Sequence, residues 1–299
     1  MKFNITKHRK FWFTLSGILV AISLAATLIF GLNLGLGFTG GARWHVEFNE
    51  KIDHFELDKF FEKQGALTQK PQIQPADERQ YLITIEDLPD AELQKIEKGI
   101  KAEIGEFTEI SYQKVDASIG ASFKTKAVYA ILASLLGIIL FVAFAFRKIP
   151  AAVNPWRFGA VAIIALFHDV LIILGIFVTL GYFLGIELDL QFVTALLATL
   201  GFSVNDTIVI LDRVRENIRS QKAKETFEDT IEKSIKQTIL RSIHTSVSTL
   251  FPLLGLLFFG ADSIFYFVLA LTIGILIGTY SSIFLAAPLL VTWKNISDK

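Results

Sequence analysis

Asp206 is the residue in this 299-residue chain whose chemistry most needs explaining, because it stands in an apolar stretch with an Asn before it. Between Phe158 and Leu211 the only groups that could carry a charge are His168, Asp169, Glu187, Asp189 and Asp206. An ionisable side chain at membrane depth is costly and points to an ion or proton path, or to a partner group that offsets the cost. His168-Asp169 is a second candidate for the same chemistry. Arg241 opens a later apolar stretch and is followed by His244, Thr245, Ser246, Ser248 and Thr249. At helical spacing Thr199, Ser203, Asp206 and Arg213 share one face, and Arg241, Thr245 and Ser248 share another. Two polar faces at similar depth are expected to meet inside a helix bundle. The bland readings stand beside these: Arg241 as a snorkelling interfacial cation, His168-Asp169 as a helix-packing hydrogen bond, and hydroxyls that bond their own backbone.

A carboxylate in low dielectric favours its neutral form and a neighbouring guanidinium favours the charged one. A site that balances the two can take up and release a proton. This reading makes Asp206 and Arg241 a proton relay, with Asn205 and Ser203 hydrogen-bonded around the carboxylate and Asp169 as a weaker member. An aspartyl protease needs two carboxylates within about 3 Å. Counting residues from the span ends gives Asp169 and Asp206 an axial offset near 9 Å, which argues against that dyad. Neither a G-x-x-x-x-G-K-[ST] loop nor H-E-x-x-H is present, so nucleotide hydrolysis and that zinc chemistry are unsupported. The expectation is a protein that is not an enzyme, holds no metal or cofactor, and draws any energy from a gradient or a partner.

The elements that position these residues are membrane spans. The chain is 52% hydrophobic and only 19% charged, whereas a soluble domain carries about 25% charge. About 20 apolar residues cross the hydrocarbon core. Six segments have that length: Phe11–Gly31, Ala127–Phe146, Phe158–Leu184, Leu190–Leu211, Ser242–Ala261 and Ser263–Trp293. The first exceeds the apolar core of a signal peptide and is expected to stay as a span. The last is long enough to tilt, to bend near Pro288, or to end in an interfacial tail. Gly274 to Gly278 matches a close-packing helix motif that specifies no activity.

Lys and Arg flank alternate ends of these spans: Lys2, Lys7, Arg9 and Lys10; Arg147, Lys148 and Arg157; Arg213, Arg215, Arg219, Lys222, Lys224, Lys233, Lys236 and Arg241; Lys294 and Lys299. The short loops Gly185–Asp189 and Gly260–Ser263 have none. By the positive-inside rule both termini are expected in the cytoplasm. Zero net charge supports no nucleic-acid footprint. Cysteine is absent, which removes disulfides and thiol chemistry.

The division expected is 1–37 (terminus and first span), 38–126 (external domain) and 127–299 (five-span bundle). Phe38 to Lys126 has net charge −5. Ala42–Phe48 and Arg79–Glu86 alternate as strands, and Gln72–Pro75 and Phe107–Val115 also read as strands. Asp53–Gln64 and Asp90–Ile104 have helical spacing, with Asp53 and Asp90 as N-caps. The order β-α-β-β-α-β is the ferredoxin-like one. Phe227, Ile231, Ile235 and Ile239 predict an amphipathic helix over Glu225–Leu240, lying on the cytoplasmic surface.

Gly201 to Asn217, G-F-S-V-N-D-T-I-V-I-L-D-R-V-R-E-N, resembles the signature of the SecD/SecF family of protein-export membrane proteins. Phe38-Thr-Gly-Gly41, Phe167-His-Asp-Val-Leu171 and the run from Arg241 to Thr249 resemble three further motifs of that family, and the one-plus-five topology agrees. The chain departs from the pattern at Gly37, where the family usually has Asp, and around Ile119-Gly120-Ala121, where it often has Gly-Pro. The resemblance implies a multi-pass α-helical protein of the prokaryotic cytoplasmic membrane, half of a resistance-nodulation-division-like transporter, with an external ferredoxin-like domain. It implies a SecD-like subunit, the SecYEG channel and the translocating preprotein as partners, with membrane lipid around them. It also implies protein export aided by the proton gradient through Asp206 and Arg241. Two alternatives from other classes are a gradient-driven exporter of lipids or small molecules, and a passive assembly factor that organises a translocon.

Overall fold

A computed structural model describes residues 4–63, 71–75, 78–86, 88–147, 155–220 and 225–297. Lys2, Lys148, Lys222, Lys224 and Lys299, used above for orientation, lie outside the described residues, as does Gln64, the expected end of a domain helix. In chain order the elements are α1 (Arg9–Phe30), α2 (Leu36–Thr39), β1 (Gly41–Phe48), α3 (His54–Lys63), β2 (Gln72–Pro75), β3 (Gln80–Ile85), α4 (Asp90–Glu103), β4 (Phe107–Val115) and α5 (Ala117–Ala145). They continue as α6 (Pro155–Leu184), α7 (Leu190–Arg219), α8 (Phe227–Phe259), α9 (Phe265–Ser281), a π turn at Ser282–Ala286, and α10 (Ala287–Ser297). The chain divides into two compact units, Met1–Leu32 with Ala130–Lys299, and Asn33–Tyr129.

The smaller unit is an antiparallel sheet in the order β2-β3-β1-β4 with α3 and α4 packed on it, the ferredoxin-like arrangement. Alternation along β1 buries Ala42, Trp44, Val46 and Phe48 with Ile83 and Ile85 of β3. The stripe Leu93, Ile96 and Ile100 of α4, with Leu57, Phe60 and Phe61 of α3, covers that face. The Asp53 carboxylate accepts the Phe55 N–H at 3.1 Å, as a cap should. Asp90 does not cap: Pro89, with φ −57°, takes the position before α4, and the Asp90 carboxylate accepts from Lys114 Nζ at 2.9 Å.

Backbones approach closely where Phe38-Thr-Gly-Gly41 meets the start of α5. Gly40 and Gly41 have φ +71° and +123°, a region that favours glycine. A Cβ on Gly40 would stand 2.6 Å from Ala117 Cα, and one on Gly120 would stand 2.8 Å from the Gly40 nitrogen. Any larger residue at these sites must move backbone.

Six helical segments among the described residues are long and apolar enough to cross a membrane: Arg9–Phe30, Ala117–Ala145, Trp156–Leu184, Leu190–Arg219, Phe227–Phe259 and Phe265–Ile296. The chain is a multi-pass membrane protein. Local signals set the ends: Asp189 caps α7 by accepting the Phe192 N–H at 2.8 Å, and Thr226 and Asp229 form a capping box that starts α8. The π turn stands just before Pro288. That residue has no N–H to give to the preceding turn, so the ladder widens there while the span runs on without a gap to Ile296.

One expectation is overturned. The segment Glu225–Leu240 is not a separate helix on the membrane surface; it is the first part of α8, continuous with the span. Ile231, Ile235 and Ile239 are buried in the bundle core with Leu211 and Val214 of α7, Ile5, and Leu290 of α10. An apolar stripe does not specify what covers it, and here α7 extends past Leu211 to Arg219 and supplies the cover. Each isoleucine removed from water contributes roughly 1.5–3 kcal/mol.

Gly274 and Gly278 let α9 approach α7. A Cβ at Gly274 would fall 2.3 Å from Thr199 Cγ2, and one at Gly278 would fall 2.8 Å from Ser203 Cβ. Without a hydrophobic drive inside lipid, such close van der Waals contact is what holds helices together.

Candidate functional site

Asp169 sits on α6, where an unbroken apolar helix holds it inside the bundle, 2% exposed. Its Oδ1 lies 2.9 Å from His168 Nδ1. Its Oδ2 accepts from the Ser203 hydroxyl of α7 and, at 2.9 Å, from the Ser281 hydroxyl at the end of α9. The His168 ring stacks on Tyr280 at a centroid distance of 6.1 Å. The Tyr280 hydroxyl in turn lies 3.0 Å from Ser16 Oγ on α1 and 3.3 Å from the Trp12 carbonyl. One carboxylate therefore organises polar contacts across four helices. His168 Nε2, also buried, has no hydrogen-bond partner.

Asp206 is 3% exposed on α7, and its surroundings differ. Its Oδ2 is buried without a hydrogen-bond partner, and so is the Ser242 hydroxyl of α8. Ser242 and the Arg241 guanidinium are near this carboxylate, but the Ser242 hydroxyl falls short of hydrogen-bond geometry to it and no ion pair joins Arg241 to it. The expected hydrogen bonds from Asn205 and Ser203 are not made. Ser203 bonds Asp169 instead, and Asn205 is exposed, because successive residues on a helix point about 100° apart. No hydrogen bond links the two carboxylates. Asp169 bonds Ser203, which stands three residues before Asp206 on α7. The sequence bounds this span at Leu211, whereas helix α7 runs on to Arg219.

The face of α8 turned inward is one residue from the expected one. Thr238, Ser242 and Ser246 are buried; Arg241 and Ser248 are exposed and Thr245 is half-buried. Thr245 and Ser248 bond backbone carbonyls of their own helix, and Ser246 Oγ lies 2.5 Å from Thr279 Oγ1 of α9. Ser242, Ser281 and Tyr280 were not found from sequence. A signal for Ser281 existed: Gly274, Gly278 and Ser281 share one face of α9 at 4 and 3 spacing. No group of three or more acidic or His side chains that could hold a metal occurs among the described residues.

Beyond Asp206 the motif becomes a clasp. Arg215 Nη2 lies 2.6 Å from Asp212 Oδ1, and Arg213 bonds Glu216 and, at 2.7 Å, Gln237 of α8. Asn217 Nδ2 donates to Ser234 Oγ and Gln237 Oε1, both at 2.8 Å. The bonds to Gln237 and Ser234 fix α7 against α8, at the end where Arg215 Nη1 also donates to the Ala145 carbonyl of α5 at 3.3 Å.

Residues 95–296 match the model of a family described as protein export membrane protein SecD/SecF, C-terminal. The chain belongs to this family. It is 39% identical to the protein translocase subunit SecF of Thermobaculum terrenum, over 98% of this chain and 94% of that one. Against SecF of Haemophilus influenzae the identity is 37%, over 94% and 82% of the two chains. The crystal structure of SecDF from Thermus thermophilus, a translocon-associated membrane protein, superposes with a TM-score of 0.83 at 32% identity. This chain is covered to 99% and spans 39% of the SecDF chain. The SecD/SecF signature from Gly201 to Asn217 thus has two parts in this fold: a buried carboxylate with an unpaired oxygen, and the clasp that fixes its helix.

Proposed function

We propose that this chain is an auxiliary subunit of the Sec protein translocase that uses the proton gradient to promote preprotein export, with Asp206 and Arg241 carrying the proton. The observation that carries the reading is Asp206 Oδ2: buried in a span, unpartnered, and in the field of Arg241. A carboxylate whose second oxygen is left unsatisfied has a protonation state that a small helix shift can change, since burial and a guanidinium oppose one another. The gradient supplies about 2.3 kcal/mol per proton per 100 mV. No cofactor and no covalent step are invoked.

The reading includes a SecD-like partner. Asn205 and Arg241 are exposed on membrane helices, and lipid offers them no hydrogen bonds. A second six-span half covering α7 and α8 would bring polar groups to them. Relatives in Thermus thermophilus and Bacillus subtilis are named SecDF, with this chain matching 37% and 38% of their lengths. We place the assembly beside the SecYEG channel in the cytoplasmic (inner) membrane, with both termini cytoplasmic and residues 38–126 outside.

Gradient-stimulated export into vesicles, with the partner present, tests the core of this reading. Asp206→Asn is expected to remove the stimulation while the complex still assembles; normal stimulation would leave Asp206 a packing residue and favour a passive assembly factor. Orientation is tested with single cysteines in this cysteine-free chain. External reagent should reach one at Glu92 and not one at Arg219, and the reverse labelling would invert the topology.

A further inference from the structure

The ends of α5, α6 and α10 enclose a groove of about 600 Å³ with no part in the carboxylate chemistry. Its apolar wall includes Ile139 of α5 and Ile163 of α6, and its mouth carries Arg147, Arg157, Trp156 and Trp293. No carboxylate lines it among the described residues. From Ile139 to Arg147 the helical rise is about 12 Å, so the groove descends from the membrane face into the hydrocarbon. Trp156 is 74% exposed and Trp293 36%, and the Arg147 guanidinium lies 4.0 Å over the Phe144 ring.

We infer that this groove binds an anionic phospholipid, its phosphodiester between Arg147 and Arg157 and an acyl chain along Ile139 and Ile163. The charge fits one ligand class. Two guanidiniums offer forked donors to phosphate oxygens and attract a net negative headgroup, whereas an ethanolamine headgroup would bring a cation to them. The depth also fits, because indoles sit at the membrane interface and the wall beneath them is apolar. A peptide would leave backbone polar groups unpaired against that wall, while an acyl chain leaves none.

The test uses the full chain in mild detergent, titrated with phosphatidylglycerol or phosphatidylethanolamine and read by native mass spectrometry. Phosphatidylglycerol should bind in preference. Arg147→Gln with Arg157→Gln should lower its retention by about thirty-fold, roughly fivefold per arginine. The double Lys variant, which keeps both charges and loses the forks, should bind phosphatidylglycerol more tightly than the Gln pair and less tightly than the parent, and this excludes misfolding as the cause. In phosphatidylcholine vesicles, phosphatidylglycerol with brominated chains should quench Trp156 and Trp293 in the parent and not in the Gln pair. Equal binding of both lipids, undiminished phosphatidylglycerol binding by the Gln pair, or complete displacement by millimolar inorganic phosphate would overturn the inference.

Discussion

Asp169 and Asp206 are both buried aspartates on helices packed against each other, and both lie in motifs of the same family. Asp169 is saturated: His168, Ser203 and Ser281 supply its contacts. Asp206 keeps an oxygen without a partner, next to a serine hydroxyl that also has none. A fully satisfied buried polar group rigidifies its surroundings, whereas an unsatisfied one in a native structure requires an explanation. The contrast teaches that two aspartates of equal depth and type differ in the donors around them. Under the proposed function that difference is what assigns the relay to Asp206 and packing to Asp169.

The largest expected effect lies at Asp206. Asp206→Asn should abolish gradient-stimulated export with little change in thermal stability, and retained stimulation would erase the functional side of the contrast. Arg241→Lys should follow, cutting stimulated export severalfold although the charge is kept, because the planar fork is lost. A rate equal to that of the parent would reduce Arg241 to a simple cation. Asp169→Leu should show the opposite pattern. It strands the Ser203 hydroxyl and His168 Nδ1, while Ser281 keeps its bond to the Gly278 carbonyl; each buried group left unsatisfied costs about 1–3 kcal/mol, so the unfolding midpoint should drop with its export defect following the loss of folded protein. An export defect in protein that remained fully folded would move Asp169 into the relay.

Ser203→Ala sharpens the same point at smaller scale. It removes one of three contacts to Asp169 and should cost about 1 kcal/mol, leaving stimulated export intact. A specific transport loss there would couple the two carboxylates. Asn205→Ala should be the mildest, within about 0.5 kcal/mol in the isolated chain. A larger loss of complex formation with the partner than of stability would assign Asn205 to the partner surface.

Sequence by itself determined the six apolar helices, because membrane thickness sets a length that composition must meet. It determined the order of the small domain too, since alternation and helical spacing are written locally in β1, β3 and α4. Asp206 was legible as a costly residue in an apolar run. Tertiary structure decided the rest. Ser203 shares a face with Asp206 at i, i+3, yet its hydroxyl turns to Asp169 on another helix. Arg241 and Ser242 are neighbours in sequence, but the 100° step between them puts one outside and the other inside. The isoleucines of α8 advertised an apolar stripe without naming its cover, and α7 supplied it. Helical period fixes which residues share a face; only the packing of helices against one another fixes what that face meets, because inside lipid the choice rests on close contacts and paired polar groups that are distant in the chain.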